Sequence, residues 1–269
     1  MDDLQRRLLA HDCWDIGCGP VSMAWCRDAF GARRPIGINL DPADLQQVLD
    51  AGEDGLLLDA LQIPTSVRTD VVNITHILEH VVERNHVRRI IEIALGAACD
   101  LVFIAGPYFD DDPYLRSTGY KFNWADWDGH VNTHSLPMME ALLRELGVRS
   151  WVSSLGFPVL TPARDTVYRL EDRRNQPEYD IARDMPKTDV QFPRPYYEEF
   201  AICIPLSPRF QPEAIIERRH GLNGTARRRL RDFAVRWPRA GALALRYLEW
   251  RNDERYAPTH LTDMPPEQS

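Results

Sequence analysis

Long apolar runs are missing from this chain. Nowhere in its 269 residues do eighteen apolar residues follow one another, so the sequence offers no helix able to span a bilayer. The opening stretch MDDLQRRLLAHDCW also lacks the apolar centre of a secretory leader. Cysteine is scarce and unpaired. Cys13, Cys18, Cys26, Cys99 and Cys203 include no CxxC, which reads as reduced thiols in a cytoplasmic protein. Positive charge is short as well: a net −8 argues against a protein that coats nucleic acid, because neutralising phosphates needs a surplus of Lys and Arg. The exception is local. Residues 217–255 hold eleven Arg and no Lys against five acids, which reads as a solvated Arg- and Glu-laced helical surface and a candidate surface for self-association.

What is present is a core's worth of apolar residues, 44% of the chain, in alternating short runs and helical segments. Strands are expected at 13–17, 34–40, 54–59, 70–74 and 99–106, and helices at 21–31, 41–52 and 85–98. Asp41 is the expected N-cap of the second helix, with Pro42 in its first position. Continuous apolar strands separated by helices imply an α/β fold with a mostly parallel sheet covered on both faces. Residues 107–134 break the rhythm with an acidic stretch rich in Tyr, Phe and Trp, placed as a loop at the carboxyl end of the fifth strand. A helix returns at 135–148, with Leu136, Met139, Leu142, Leu143 and Leu146 on one stripe. A late strand pair is expected at 149–157 and 199–206, separated by a polar, proline-dotted stretch at 171–197. From 211 to about 251 the chain reads as helical, with a frayed end. The division expected is a core at 1–160 and an extension at 161–269 that completes an acceptor site.

The loop after the first strand, DIGCGPVS, is where such a sheet contacts a ligand. Gly17 and Gly19 permit a sharp turn and close approach, and the following helix is expected to point free N–H groups at the ligand. A dinucleotide loop of the GxGxxG type requires glycine at position 22, which is Ser22.

Taken in order, DIGCGP, GINLDP, LLLDALQIP, DVVNITHILEHV and DLVFIAGP resemble the motif series of class I S-adenosylmethionine-dependent methyltransferases, and DGHVNTHSLPMMEALLRELGV is similar to their later His-containing segment. The resemblance covers roughly residues 10–160. It implies a Rossmann-like three-layer sandwich with the aromatic insertion after strand 5 and a helical C-terminal extension. It also implies S-adenosyl-L-methionine as cofactor, S-adenosyl-L-homocysteine as product and a small-molecule acceptor methylated on oxygen or nitrogen. On the same basis Asp15, Gly17 and Gly19 line the methionine half of the cofactor. Asn39 stands where the family usually has a ribose-binding acid, with Asp41 two residues on as a substitute. Asp59 and Ala60 take the adenine, and Thr75 lies near the methionine moiety while capping a short helix. The bend at 17–19 and the side chain at 59 are thus expected to grip opposite ends of one ligand.

THILEH, residues 75–80, spaces His76, Glu79 and His80 for one helical face. HxxEH is a zinc-peptidase signature, but such enzymes take a third ligand from a longer helical context that is missing here. Ubiquinone-type O-methyltransferases hold a divalent metal with ExxEH at this place; His76 replaces their first Glu, and no metal is expected. Glu79 and His80 are read as facing the glycine-loop helix or solvent, with His76 bordering the pocket. Methyl transfer needs an in-line nucleophile and, for a hydroxyl, a base, for which His130, His134 and His76 are the candidates. Tyr108, Phe109, Tyr114, Tyr120, Phe122, Trp124 and Trp127 are read as the acceptor wall, and Asp110, Asp111 and Asp112 as repelling anionic acceptors. The rival readings are a cyclase or lyase using the same cofactor, and a non-catalytic cofactor-binding partner protein.

Overall fold

The computed structural model describes residues 1–176, 179, 187–188 and 190–221. The chain divides into two compact units, 1–224 and 225–269, and the described residues all lie in the first. The Arg-rich stretch beyond 221, and the helix expected to about 251, lie outside the described residues.

The elements are α1 (Asp3–Leu9), β1 (Cys13–Ile16), α2 (Pro20–Phe30), β2 (Pro35–Asn39), α3 (Pro42–Asp50), β3 (Asp54–Leu57), β4 (Thr69–Thr75), α4 (Arg84–Ala97), β5 (Ala98–Pro107), α5 (Asp112–Arg116), β6 (Tyr120–Phe122), α6 (Leu136–Glu145), β7 (Val152–Val159), β8 (Val167–Arg169), β9 (Tyr196–Pro205) and α7 (Pro212–His220). Seven strands form one sheet in the order β3-β2-β1-β4-β5-β9-β7. β9 is antiparallel to both of its neighbours, and the other pairings are parallel. The expected α/β architecture is therefore present, with the late strand pair built into the same sheet.

Alternation along the strands divides the core into two layers. Trp14, Val72, Ile74, Val102, Ile104, Ile202 and Ile204 pack with Leu8 of α1, Ile91 of α4 and Leu143 of α6 on one face. Cys13, Val71, Leu101, Phe103, Ala201 and Cys203 pack with Trp25 and Phe30 of α2 and Ile215 of α7 on the other. All five cysteines are free, and Cys99 alone is exposed. Helix ends follow the chemistry read from the chain. Asp41 accepts from the N–H groups of Ala43 and Asp44 ahead of α3, and Gly31 closes α2 at φ 67°. Among the described residues no helix is long and apolar enough to cross a membrane.

The insertion is more ordered than the sequence implied. α5 and β6 lie within it, and β6 pairs with β8 in a separate two-stranded sheet. Leu115, Tyr120, Phe122, Val159, Val167, Phe192 and Tyr196 make a small core of their own. Phe109, Tyr120 and Phe122 are buried, which takes them out of the predicted acceptor wall; Tyr108, Trp124 and Trp127 are partly exposed. The acidic run is also internally satisfied. Asp110 accepts from the Leu136 N–H, Asp111 pairs with Arg194 and Asp112 with Arg116, so no unpaired anionic wall forms.

Candidate functional site

The strand order reverses between β1 and β4, so the crevice lies outside their carboxyl ends. Gly17 turns the chain there at φ 79°, and a Cβ on it would stand 2.6 Å from Cβ of Ile77, just past β4. Glycine is thus required at 17 both by conformation and by the close approach of the loop after β4. Gly19 differs. Its φ is −142°, which any residue adopts, and a Cβ built on it meets nothing within 4 Å. The space beside it at the start of α2 is open.

Two of the amides expected to be free at this bend are bonded within the protein. Gly17 donates to the Ile38 carbonyl at 2.8 Å, and Gly19 donates to Oγ of Ser22 at 2.9 Å. Ser22 in turn donates to Asp15 at 2.5 Å, so the residue standing at the third-glycine position braces the loop from within. Asp15 is fully buried and also accepts from Asn73 at 2.7 Å, while Thr75 donates to Asn73 at 3.0 Å. Burial pushes the Asp15 carboxyl up to about 6, against the lowering effect of Ser22 and Asn73. Asp15 and Thr75 are therefore supports of the loop. Nor does Thr75 cap a helix: it ends β4, and the single turn at Leu78–His80 starts after Ile77 with no side-chain cap.

Asn39 at the end of β2 donates to the Cys18 carbonyl at 3.0 Å and accepts from the Asp41 N–H at 2.9 Å, tying the glycine loop to the cap of α3. Asp41 is committed to that cap and is exposed. Asp59 starts the turn at Ala60–Gln62, its Oδ1 accepting from Leu61 at 2.9 Å; among the described residues its Oδ2 makes no hydrogen bond. Ala60 is buried against the same core as Ile38 and Ile63. Val21 in the first turn of α2, Leu40 just after β2 and Leu57 at the end of β3 stand 81%, 67% and 54% exposed.

The segment after β4 departs most from expectation. His76 adopts φ 53°, so residues 76–80 do not form one helical face. Its Nε2 lies 2.7 Å from Glu199 of β9 and its Nδ1 3.6 Å from Glu79. Burial lowers the imidazole pKa, but Glu199 and Glu79 outweigh it and hold His76 at about 9. It is a cation at neutral pH and is not placed to act as a base. Glu199 itself is buried and accepts from Arg219, His220 and His76. Burial opposes its ionisation, and Arg219, His220 and His76 overcome this, keeping the carboxyl well below the usual range. Ser154 bonds the other nitrogen of His220 at 2.6 Å. The sequence reading missed this network; its one signal was an acid, Glu199, directly before the apolar run FAICI.

The insertion returns onto the same segment. Asn132 bonds to Glu79, Val81 and Val82, and His134 donates from Nε2 to the Leu78 carbonyl at 3.0 Å. His134 is buried and serves as a clamp. His130 donates from Nδ1 to the Trp124 carbonyl at 2.8 Å, and burial lowers its pKa, so it is neutral with Nε2 unprotonated. Its ring lies 4.8 Å from that of His80, which bonds through Nδ1 to the Gly129 carbonyl at 2.9 Å. Glu79 is buried beneath them rather than facing the glycine-loop helix or solvent.

No family model and no curated protein matches the chain. Among solved structures, it is similar to a SAM-dependent methyltransferase from Archaeoglobus fulgidus at 14% identity, over 74% of this chain and 90% of that one, with a TM-score of 0.47. It is similar to the N-methyltransferase NodS from Bradyrhizobium japonicum at 12% identity, over 75% and 89% of the two chains, with a TM-score of 0.40. A magnesium protoporphyrin IX methyltransferase from Synechocystis with bound SAM matches at 12% identity, over 76% of each chain, with a TM-score of 0.40. At such identities the likeness concerns the backbone alone.

Proposed function

We propose that the chain is an S-adenosylmethionine-dependent methyltransferase acting on a small-molecule acceptor at oxygen or nitrogen. The glycine loop carries this reading: it lies at the strand-order reversal, where Gly17 needs its positive φ and a Cβ on Gly19 would meet no atom within 4 Å. The order of the sequence motifs supports the choice of ligand. Ser22, in place of the third glycine of a dinucleotide loop, argues against the dinucleotide alternative.

S-adenosylmethionine, when bound, supplies a methyl group already activated by its sulfonium. The chain's part is to hold and orient. Gly19 leaves room for the ligand, Asp59 offers Oδ2 to an exocyclic amine, and Val21, Leu40 and Leu57 cover apolar surface. The insertion, held over the loop after β4 by Asn132 and His134, excludes water on the acceptor side. Deprotonation of an acceptor hydroxyl falls to the corner of Glu79, His80 and His130.

Thermal unfolding with and without cofactor tests the reading. A hundredfold excess over Kd is expected to raise Tm by about 5–10 °C, and Asp59→Ala to remove most of that shift. No shift in the wild-type protein with millimolar cofactor overturns it.

A further inference from the structure

We infer that Glu79, His80 and His130 form a binding site for a divalent transition-metal ion, with zinc the best match. One ligand atom from each residue lies within 4.8 Å of the other two. Three independent features show that this corner is shaped for a cation.

The first is the state of the two imidazoles. Nδ1 of His80 meets the Gly129 carbonyl and Nδ1 of His130 meets the Trp124 carbonyl, and carbonyls only accept. Both rings are thereby fixed in the tautomer that carries its proton on Nδ1 and a lone pair on Nε2. Metal-ligating histidines are held in this way, with the far nitrogen donating to a carbonyl or carboxylate.

The second is the carboxylate. Glu79 is 2% exposed, and its Oε1 is buried without a hydrogen-bond partner. The nearest cationic group is Nδ1 of His76 at 3.6 Å, beyond hydrogen-bond range, and Nε2 of that ring is taken by Glu199. A buried carboxylate oxygen left in this way is costly, and a bound cation satisfies it.

The third is the construction. Glu79 and His80 sit on one short turn after β4, and His130 arrives from the insertion, whose Asn132 N–H bonds to the Glu79 carbonyl at 3.0 Å. His76, which the HxxEH spacing nominates as a ligand, is turned away to Glu199.

Two imidazole nitrogens and one carboxylate suit zinc or a neighbouring first-row ion, whereas magnesium and calcium prefer all-oxygen shells. Tetrahedral zinc places its ligands about 3.3 Å apart, so the three atoms must draw together by up to about 1.5 Å, which the exposed His80 ring allows. Three protein ligands leave a fourth position for water or an acceptor oxygen, whose pKa the ion would lower. The inference stands on the ligand geometry, independently of the cofactor reading.

The test uses the full chain stripped with chelator and titrated with zinc chloride alone. One equivalent is expected to bind, with a rise in Tm, and magnesium chloride is expected to give neither. His80→Ala and His130→Ala should each weaken zinc binding at least about tenfold while keeping the wild-type circular dichroism, and His86→Ala, at an exposed site elsewhere, should leave it intact. Cobalt substitution should show the weak visible bands of a nitrogen and oxygen site. An intense thiolate charge-transfer band would place the ion on cysteine and overturn the proposal. So would sub-stoichiometric zinc, or unchanged binding in His80→Ala and His130→Ala. Binding of S-adenosylhomocysteine to the metal-free protein, measured in parallel, keeps this outcome separate from that of the methyltransferase reading.

Discussion

Gly17 and Gly19 are two residues apart and do different work, which makes them the sharpest pair for substitution. Gly17→Ala forces a side chain to φ 79° and drives its Cβ into Ile77, so Tm should fall and the crevice should distort. Gly19→Ala meets no atom and costs the cap of α2 under about 1 kcal/mol, yet its methyl enters the space proposed for the ligand. Calorimetric affinity for S-adenosylhomocysteine should fall about tenfold or more while Tm stays near wild type; unchanged affinity would mean that no ligand approaches there. Asp15 supplies a second prediction. Its folded pKa of about 6 lies above the ordinary value of 3.8, so the native state holds this proton more tightly than the unfolded chain does. The resulting stabilisation is fully present below pH 3.8 and is lost as pH rises through 6, a change of about 3 kcal/mol across that window. Urea titrations of wild type and Asp15→Asn between pH 4 and 7 should diverge by that order, and parallel profiles would refute the buried carboxyl.

At the scale of elements, β9 joins the late part of the chain to the crevice through one residue. Glu199 neutralises Arg219 and His220 of α7 and holds His76 in its left-handed conformation past β4. Glu199→Gln removes the buried anion that Arg219, His220 and His76 share, and breaking such a buried ionic network costs about 3–5 kcal/mol. Urea unfolding should show that loss with an unchanged m value; a loss below about 1 kcal/mol would count against the network. This contact was not legible in the sequence, because Glu199 and His76 are 123 residues apart and nothing local pairs an acid on one strand with a histidine after another. The strands β1 to β5 and the helices between them were legible, since periodicity, Asp41 and the glycine turns are local signals. β6 and β8 were not: each is three residues long, and their pairing depends on a core that includes Phe192 and Tyr196.

At the scale of the whole molecule, one side of the crevice could be read from the chain in advance and the other could not. Gly17, Gly19 and Asp59 lie in turns that follow their own strands, which is why local sequence signals nominate them. The proposed acceptor side draws on β4, the insertion and β9. Sequence reasoning therefore named His76, His130 and His134 together, whereas the fold makes them a paired cation, a neutral ring beside Glu79 and His80, and a buried clamp. Titration calorimetry of the folded chain with S-adenosylhomocysteine is the most direct test of the ligand reading. It should register one site per chain, with NAD giving no heat under the same conditions. Heat with NAD and none with S-adenosylhomocysteine or S-adenosylmethionine would contradict it.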